Sequence, residues 1–117
     1  MTYVDGFLAA IPNQNRDAYI AYAAKAAPVF KSYGALSVVE CWGDDVPDGK
    51  LTSFPMAVKL EEGETVLFSW IVWPSKDVRD TAMAKIMADP QFDSKNNPMP
   101  FDGKRMVYGG FVPILEA

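Results

Sequence analysis

Four polar side chains interrupt otherwise apolar stretches of this chain: Asp5 in "TYVDGFLAAI", Glu40 in "ALSVVECWG", Ser69 in "FSWIVWP" and Arg105 in "KRMVYGGFVPIL". A carboxylate withdrawn from water is costly unless a cation or hydrogen bonds meet it. Asp5 or Glu40 paired with Arg105 would remove that cost, and such a pair would be structural. Without a cation in a cleft, either carboxyl would titrate above its ordinary range and could act as a general base. A wet position at a strand end is the third reading. The candidate ligand-binding set is Asp5, Glu40, Trp70, Arg105 and Tyr108. Trp70 offers either an interface anchor or a platform for a planar group, and Tyr108 stands beside Gly109 and Gly110, where a strand bends or leaves room.

Histidine is absent, which excludes Ser-His and Cys-His nucleophiles, histidine-ligated zinc and proximal-histidine haem. Chemistry falls to carboxylates, Arg, Lys, Tyr or the single Cys41, or to a bound group. No cofactor or metal motif is present. "DDVPDG" (Asp44 to Gly49) has acidic spacing, but position twelve of a calcium loop would be Pro55 where a bidentate Glu is required, so turn chemistry is the reading. Cys41 has no cation near it in sequence and reads as buried and inert.

The formal charge is −4, from 11 basic and 15 acidic residues, and Lys104-Arg105 is the one basic doublet. That lacks the basic footprint nucleic acid demands. One cysteine allows no intramolecular disulfide and suits a reducing compartment. The N-terminus lacks a basic n-region, and no apolar run approaches the ~20 residues of a membrane span. The expectation is a soluble cytoplasmic protein without membrane or nucleic-acid partners.

The elements that must position these residues follow from periodicity. Residues 1–117 fit one domain. Thr2 to Ile11 reads as a strand stopping at Pro12, after which Asn13 or Asn15 is the expected helix cap. Tyr19, Tyr22, Ala23, Ala26, Phe30 and Tyr33 recur at helical spacing up to Gly34, with Pro28 on the opposite, solvent side as a kink. Ala35 to Gly43 is a second strand. A hairpin turning at Glu62-Gly63-Glu64 joins a short strand (Ala57 to Leu60) to a long one (Thr65 to Trp73). Ser75 then caps a helix with Val78, Ala82, Met83 and Ile86 as its stripe. Gln91 to Gly103 is a long polar connection, and Lys104 to Leu115 is a last strand that Pro113 confines to a sheet edge.

The order is that of a ferredoxin-like, split βαβ α+β fold, with two helices on one face of an antiparallel sheet. Its strands are apolar on both sides. Phe68, Trp70 and Val72 oppose Ser69, Ile71 and Trp73, so the helix-free face requires cover as well. A second copy packed sheet against sheet supplies it, giving a homodimer.

The blocks "AAPVFKSYGALSVVECWGDDVPDGK", "GETVLFSWIVWPS" and "MPFDGKRMVYGGFVPI" closely resemble the YbaA-like family of small bacterial proteins, a domain-of-unknown-function family, over nearly the whole chain. The resemblance implies the dimeric α/β-barrel superfamily, whose members commonly hold a pocket between helices and sheet. It supplies no catalytic residues. The leading expectation is therefore a small apolar or aromatic ligand bound between sheet and helices. The alternatives are a cofactor-free monooxygenase or isomerase, using Glu40 or Asp5 with Arg105, and a structural or protein-interaction module with a solid core.

Overall fold

Alternation of side chains runs through Tyr3–Pro12 and makes it the first strand, β1. The computed structural model, which describes residues 1–117, continues through α1 (Arg16–Ser32), β2 (Ser37–Trp42), the one-turn α2 (Phe54–Ala57), β3 (Glu64–Trp73), α3 (Lys76–Met87) and β4 (Val107–Phe111). The strands form one antiparallel sheet in the order β2-β3-β1-β4. This is the split βαβ arrangement the sequence pattern predicts, in an α+β fold. Pro113 follows β4 at the sheet edge, as expected, but the strand ends at Phe111 rather than Leu115. Beyond it Ile114 and Leu115 stand exposed.

The long helices cover one face. Ala82 and Ile86 of α3 join Tyr3, Ile71 and Trp73 in one core cluster, and Tyr19 of α1 joins Ala9, Ile11 and Leu67 in another. Ser75 caps α3 by accepting from the Val78 N–H at 3.2 Å, and Gly34 ends α1 with φ of +116°, a backbone that side chains disfavour. Pro28 lies within α1 on its exposed side, as predicted.

Two local expectations fail for identifiable reasons. Ala57 to Leu60 is no strand: Ser53 accepts from the Met56 N–H at 3.1 Å and Pro55 fills the first turn, so the segment starts as a helix. Its follower Val58 is fully buried against Ala10 and Val66. Asn13 and Asn15 do not cap α1 through their side chains. The Asn13 carboxamide accepts from the Thr65 hydroxyl, and Asn15 Nδ2 donates to the Pro100 carbonyl at 2.9 Å.

That last bond anchors the long connection after α3 onto α1. Phe92 meets Phe30 at a ring separation of 5.0 Å, and Phe101 meets Tyr19 at 5.7 Å. Asn97, buried, donates to the Tyr22 carbonyl at 3.4 Å. The polar appearance of this segment conceals apolar residues spaced so as to roof the helix side of the sheet.

The other face carries no long helix. Its rows, read across the sheet, are Ser37-Val72-Val4-Phe111, Val39-Trp70-Gly6-Gly109 and Cys41-Phe68-Leu8-Val107. Phe68 stacks between Phe54 and Trp70 at 5.9 and 5.4 Å yet remains 45% exposed, and Phe111 is 61% exposed. Cys41 is a free, half-buried thiol on this face, less enclosed than the sequence suggests. No helix is long and apolar enough to cross a membrane.

Candidate functional site

Strand register decides which candidate residues can meet. On the helix-covered face, Glu40, Ser69, Phe7 and Tyr108 form one row across the sheet. The adjacent row is Val38, Ile71, Asp5 and Gly110. Trp70, one residue out of step with Ser69, belongs to the opposite face.

Asp5 is a structural ion pair, but Arg105 is not its partner. Its carboxylate accepts from Arg79 Nη2 at 2.8 Å, from Arg79 Nε at 3.1 and 3.2 Å, and from Trp73 Nε1 at 2.9 Å. Asp5 is 3% exposed and Trp73 fully buried. Arg79 also lies over the Tyr3 ring at 5.3 Å. Gly110 completes the packing, because a Cβ there would overlap that ring.

Arg105 is spent elsewhere. Its guanidinium grips Glu64 through two bonds of 2.7 and 2.8 Å, meets Asp102 at 3.1 Å and donates to the Lys59 carbonyl at 3.0 Å. Glu61 stands 3.4 Å away. Arg105 holds the Glu64 carboxyl below its ordinary range, ahead of an opposing burial effect. The expected pairing of Arg105 with Asp5 or Glu40 is thus corrected. Charge complementarity in sequence names possible partners, whereas strand register chooses among them.

Glu40 has no cation. It projects from edge strand β2 into the mouth of a cavity of about 250 Å³ between sheet and helices. The walls come from Phe7, Leu67 and Ile71 of the sheet, Tyr22 and Ala26 of α1, and Met83 of α3, with Met99 and Phe101 of the connection as roof. Trp70 borders the cavity although its ring stacks on Phe68. Glu40 also lines an adjoining groove between α1 and β2, with Arg16, Ile20 and Trp42. Glu40 is exposed as a residue, although most of the side chains that line these two spaces with it are apolar.

Burial pushes the Glu40 carboxyl above its ordinary range, and hydrogen bonds from Tyr19 and Ser69 act more weakly the other way. Tyr19 Oη donates to Glu40 Oε2 at 2.9 Å. Burial, then the Glu40 charge, pushes the Tyr19 phenol upward, so Tyr19 remains a donor. The arrangement is a carboxylate of raised proton affinity, steadied by a phenol, on an apolar cavity. It can accept a hydrogen bond or a proton from a bound molecule. Tyr108 shares its row but sits on the far edge strand, 71% exposed and outside the cavity.

Of the five sequence candidates, the structure brings Glu40 and Trp70 to this cavity and leaves Asp5, Arg105 and Tyr108 away from its walls. Sequence reasoning missed Arg79 and the roof. Arg79 carries a readable signal, since it falls three, four and seven residues before Ala82, Met83 and Ile86, on their buried stripe. Met99 and Phe101 carry only the hint that apolar residues punctuate a polar connection.

Fold and site together define a small α+β protein with a cavity between sheet and helices, lined by one carboxylate. A family model described as "Protein of unknown function (DUF1428)" matches residues 2–103. The chain is 60% identical over 116 residues, 99% of each chain, to "Uncharacterized protein YbaA" of Escherichia coli strain K12, and equally so to the Shigella flexneri protein of that name. The chain belongs to the DUF1428 family.

Proposed function

We propose that this protein is a cytoplasmic homodimer that binds a small, largely apolar or aromatic molecule between its sheet and helices. The observation that carries the ligand is the cavity of about 250 Å³, bordered by 18 hydrophobic residues among 20. Well-packed interiors leave few voids larger than a water molecule, so a space of this size and lining supports a binding role over a solid structural module. The enzyme reading loses its anion-steadying group, because Arg105 is neutralised by Glu64 and Asp102 away from the cavity.

Binding to the native state raises the melting temperature, by an amount that grows with the logarithm of free ligand concentration above Kd. Titration with 2-phenylethanol, a neutral probe of suitable size, should raise Tm and perturb the methyl resonances of Met83 and Met99. Ala23→Phe, which fills space shared by cavity and groove, should abolish both effects while the protein stays folded. Equal responses from the two proteins would reject the cavity as the site.

The second copy is supported by three consecutive uncharged, largely apolar rows on the face that the long helices leave uncovered, where α2 reaches only Phe68 through Phe54. The free Cys41 thiol fits the reducing compartment proposed. Sedimentation should give a dimer that Phe111→Glu dissociates; a stable wild-type monomer at micromolar concentration would reject that assembly.

A further inference from the structure

We infer that the ligand of this cavity is an amine, bound as an ammonium with its N–H donors on Glu40 and its apolar or aromatic body inside. The inference rests on the cavity being the binding site and names the class of molecule it takes.

The polar inventory of the walls is short: Glu40, Ser69 and the phenols of Tyr19 and Tyr22. No Lys or Arg borders the cavity. The Tyr19 proton is already committed to Glu40 Oε2. Arg16, in the adjoining groove, lies over the Trp42 ring at 5.5 Å and within 4.0 Å of Asp17, and forms no ion pair with Glu40.

Three ligand charges can be weighed against that inventory. An anion inside the cavity would lie beside the Glu40 carboxylate with no cation on the walls, and the nearest one, Arg16 in the groove, lies over the Trp42 ring, so an anion is disfavoured. A neutral body fills the cavity but strips further water from Glu40 without replacing its hydrogen bonds. An ammonium neutralises the carboxylate, supplies charge-assisted donors and meets the electron-rich faces of the wall aromatics.

The geometry also separates the two ends of such a molecule. Glu40 lines both the cavity and the adjoining groove, each of them partly open to solvent. The charged head can stay near water at Glu40 while the body passes between α1, α3 and the sheet. A volume of about 250 Å³ lies just under the roughly 300–1,000 Å³ of drug-sized pockets. That suits a body of one ring or a short chain.

The test compares three probes matched in size, 2-phenylethylamine, 2-phenylethanol and 3-phenylpropanoate, titrated into the full chain near neutral pH with NMR or thermal readout. The amine should bind at least about tenfold more tightly than the alcohol, and the propanoate should not bind measurably. Glu40→Gln should remove the amine's advantage and leave the alcohol within about twofold. Glu40→Ala serves in its place if the glutamine variant fails to fold. An amine no better than the alcohol overturns the amine inference alone, as does a preference that survives loss of Glu40 or a propanoate that binds as well. Failure of all three probes overturns the cavity as a site, and the inference with it.

Discussion

Asp5 and Glu40 rise from the same face of one sheet, in adjacent rows, with β3 between their strands. Asp5 on central β1 is enclosed by α3, and the enclosure brings its own cation: Arg79 forks onto the carboxylate while Trp73 donates from the side. Glu40 on edge strand β2 faces α1, where Tyr19, Tyr22 and Ala23 bring phenols and apolar surface, and the one nearby cation, Arg16, lies over Trp42 without pairing with Glu40. The same functional group therefore becomes a tie between sheet and helix in one place and a responsive group in the other. The difference lies in the facing helix, since neither strand sequence encodes it.

The largest test of this contrast removes the cation. Arg79→Met leaves Asp5 buried with only Trp73 as donor, and breaking a buried pair from one side costs about 3–5 kcal/mol. Arg79 keeps a quarter of its side-chain surface exposed, so the lower end, about 3 kcal/mol, is expected in denaturant unfolding. The double variant Asp5→Asn, Arg79→Met retains an acceptor for Trp73 and removes the unpaired charge, so it should recover most of the loss. A cost well below about 1 kcal/mol for Arg79→Met would put the pair among weak surface contacts and erase the contrast.

How far this contrast is legible in the sequence differs between its halves. The element order, the two-sided strands, the edge position of the last strand and the Ser75 cap are local in origin, arising from periodicity and capping. Both carboxylates also stand out as interruptions of apolar runs. Partner choice is not local: Asp5 and Arg79 lie 74 residues apart, and only the packing of α3 on β1 joins them. The cavity is harder still, because it is the space left when Ala23, Ala26 and Ala27 face the sheet beneath Met99 and Phe101. Small residues on a helical stripe signal close packing or a void equally well, and the roof decides between them.

The smaller test concerns Glu40 and has the opposite sign. Its folded-state pKa lies above the ordinary 4.5, so the folded chain holds this proton more tightly than the unfolded chain. The stability this provides is fully present below pH 4.5 and is lost as pH rises through the folded-state pKa. Glu40→Gln keeps an acceptor for the Tyr19 hydroxyl and removes the charge. It should flatten this part of the pH profile and match or exceed the wild type at neutral pH, by no more than about 1 kcal/mol because the residue is partly exposed. Tyr19→Phe supplies the internal check. The Tyr19 hydrogen bond lowers the Glu40 pKa, so its loss should move the Glu40 carboxyl midpoint upward in an NMR titration. A midpoint unmoved by Tyr19→Phe would show that the phenol does not steady the carboxylate, and destabilisation by Glu40→Gln comparable to that of Arg79→Met would show Glu40 to be a second structural tie.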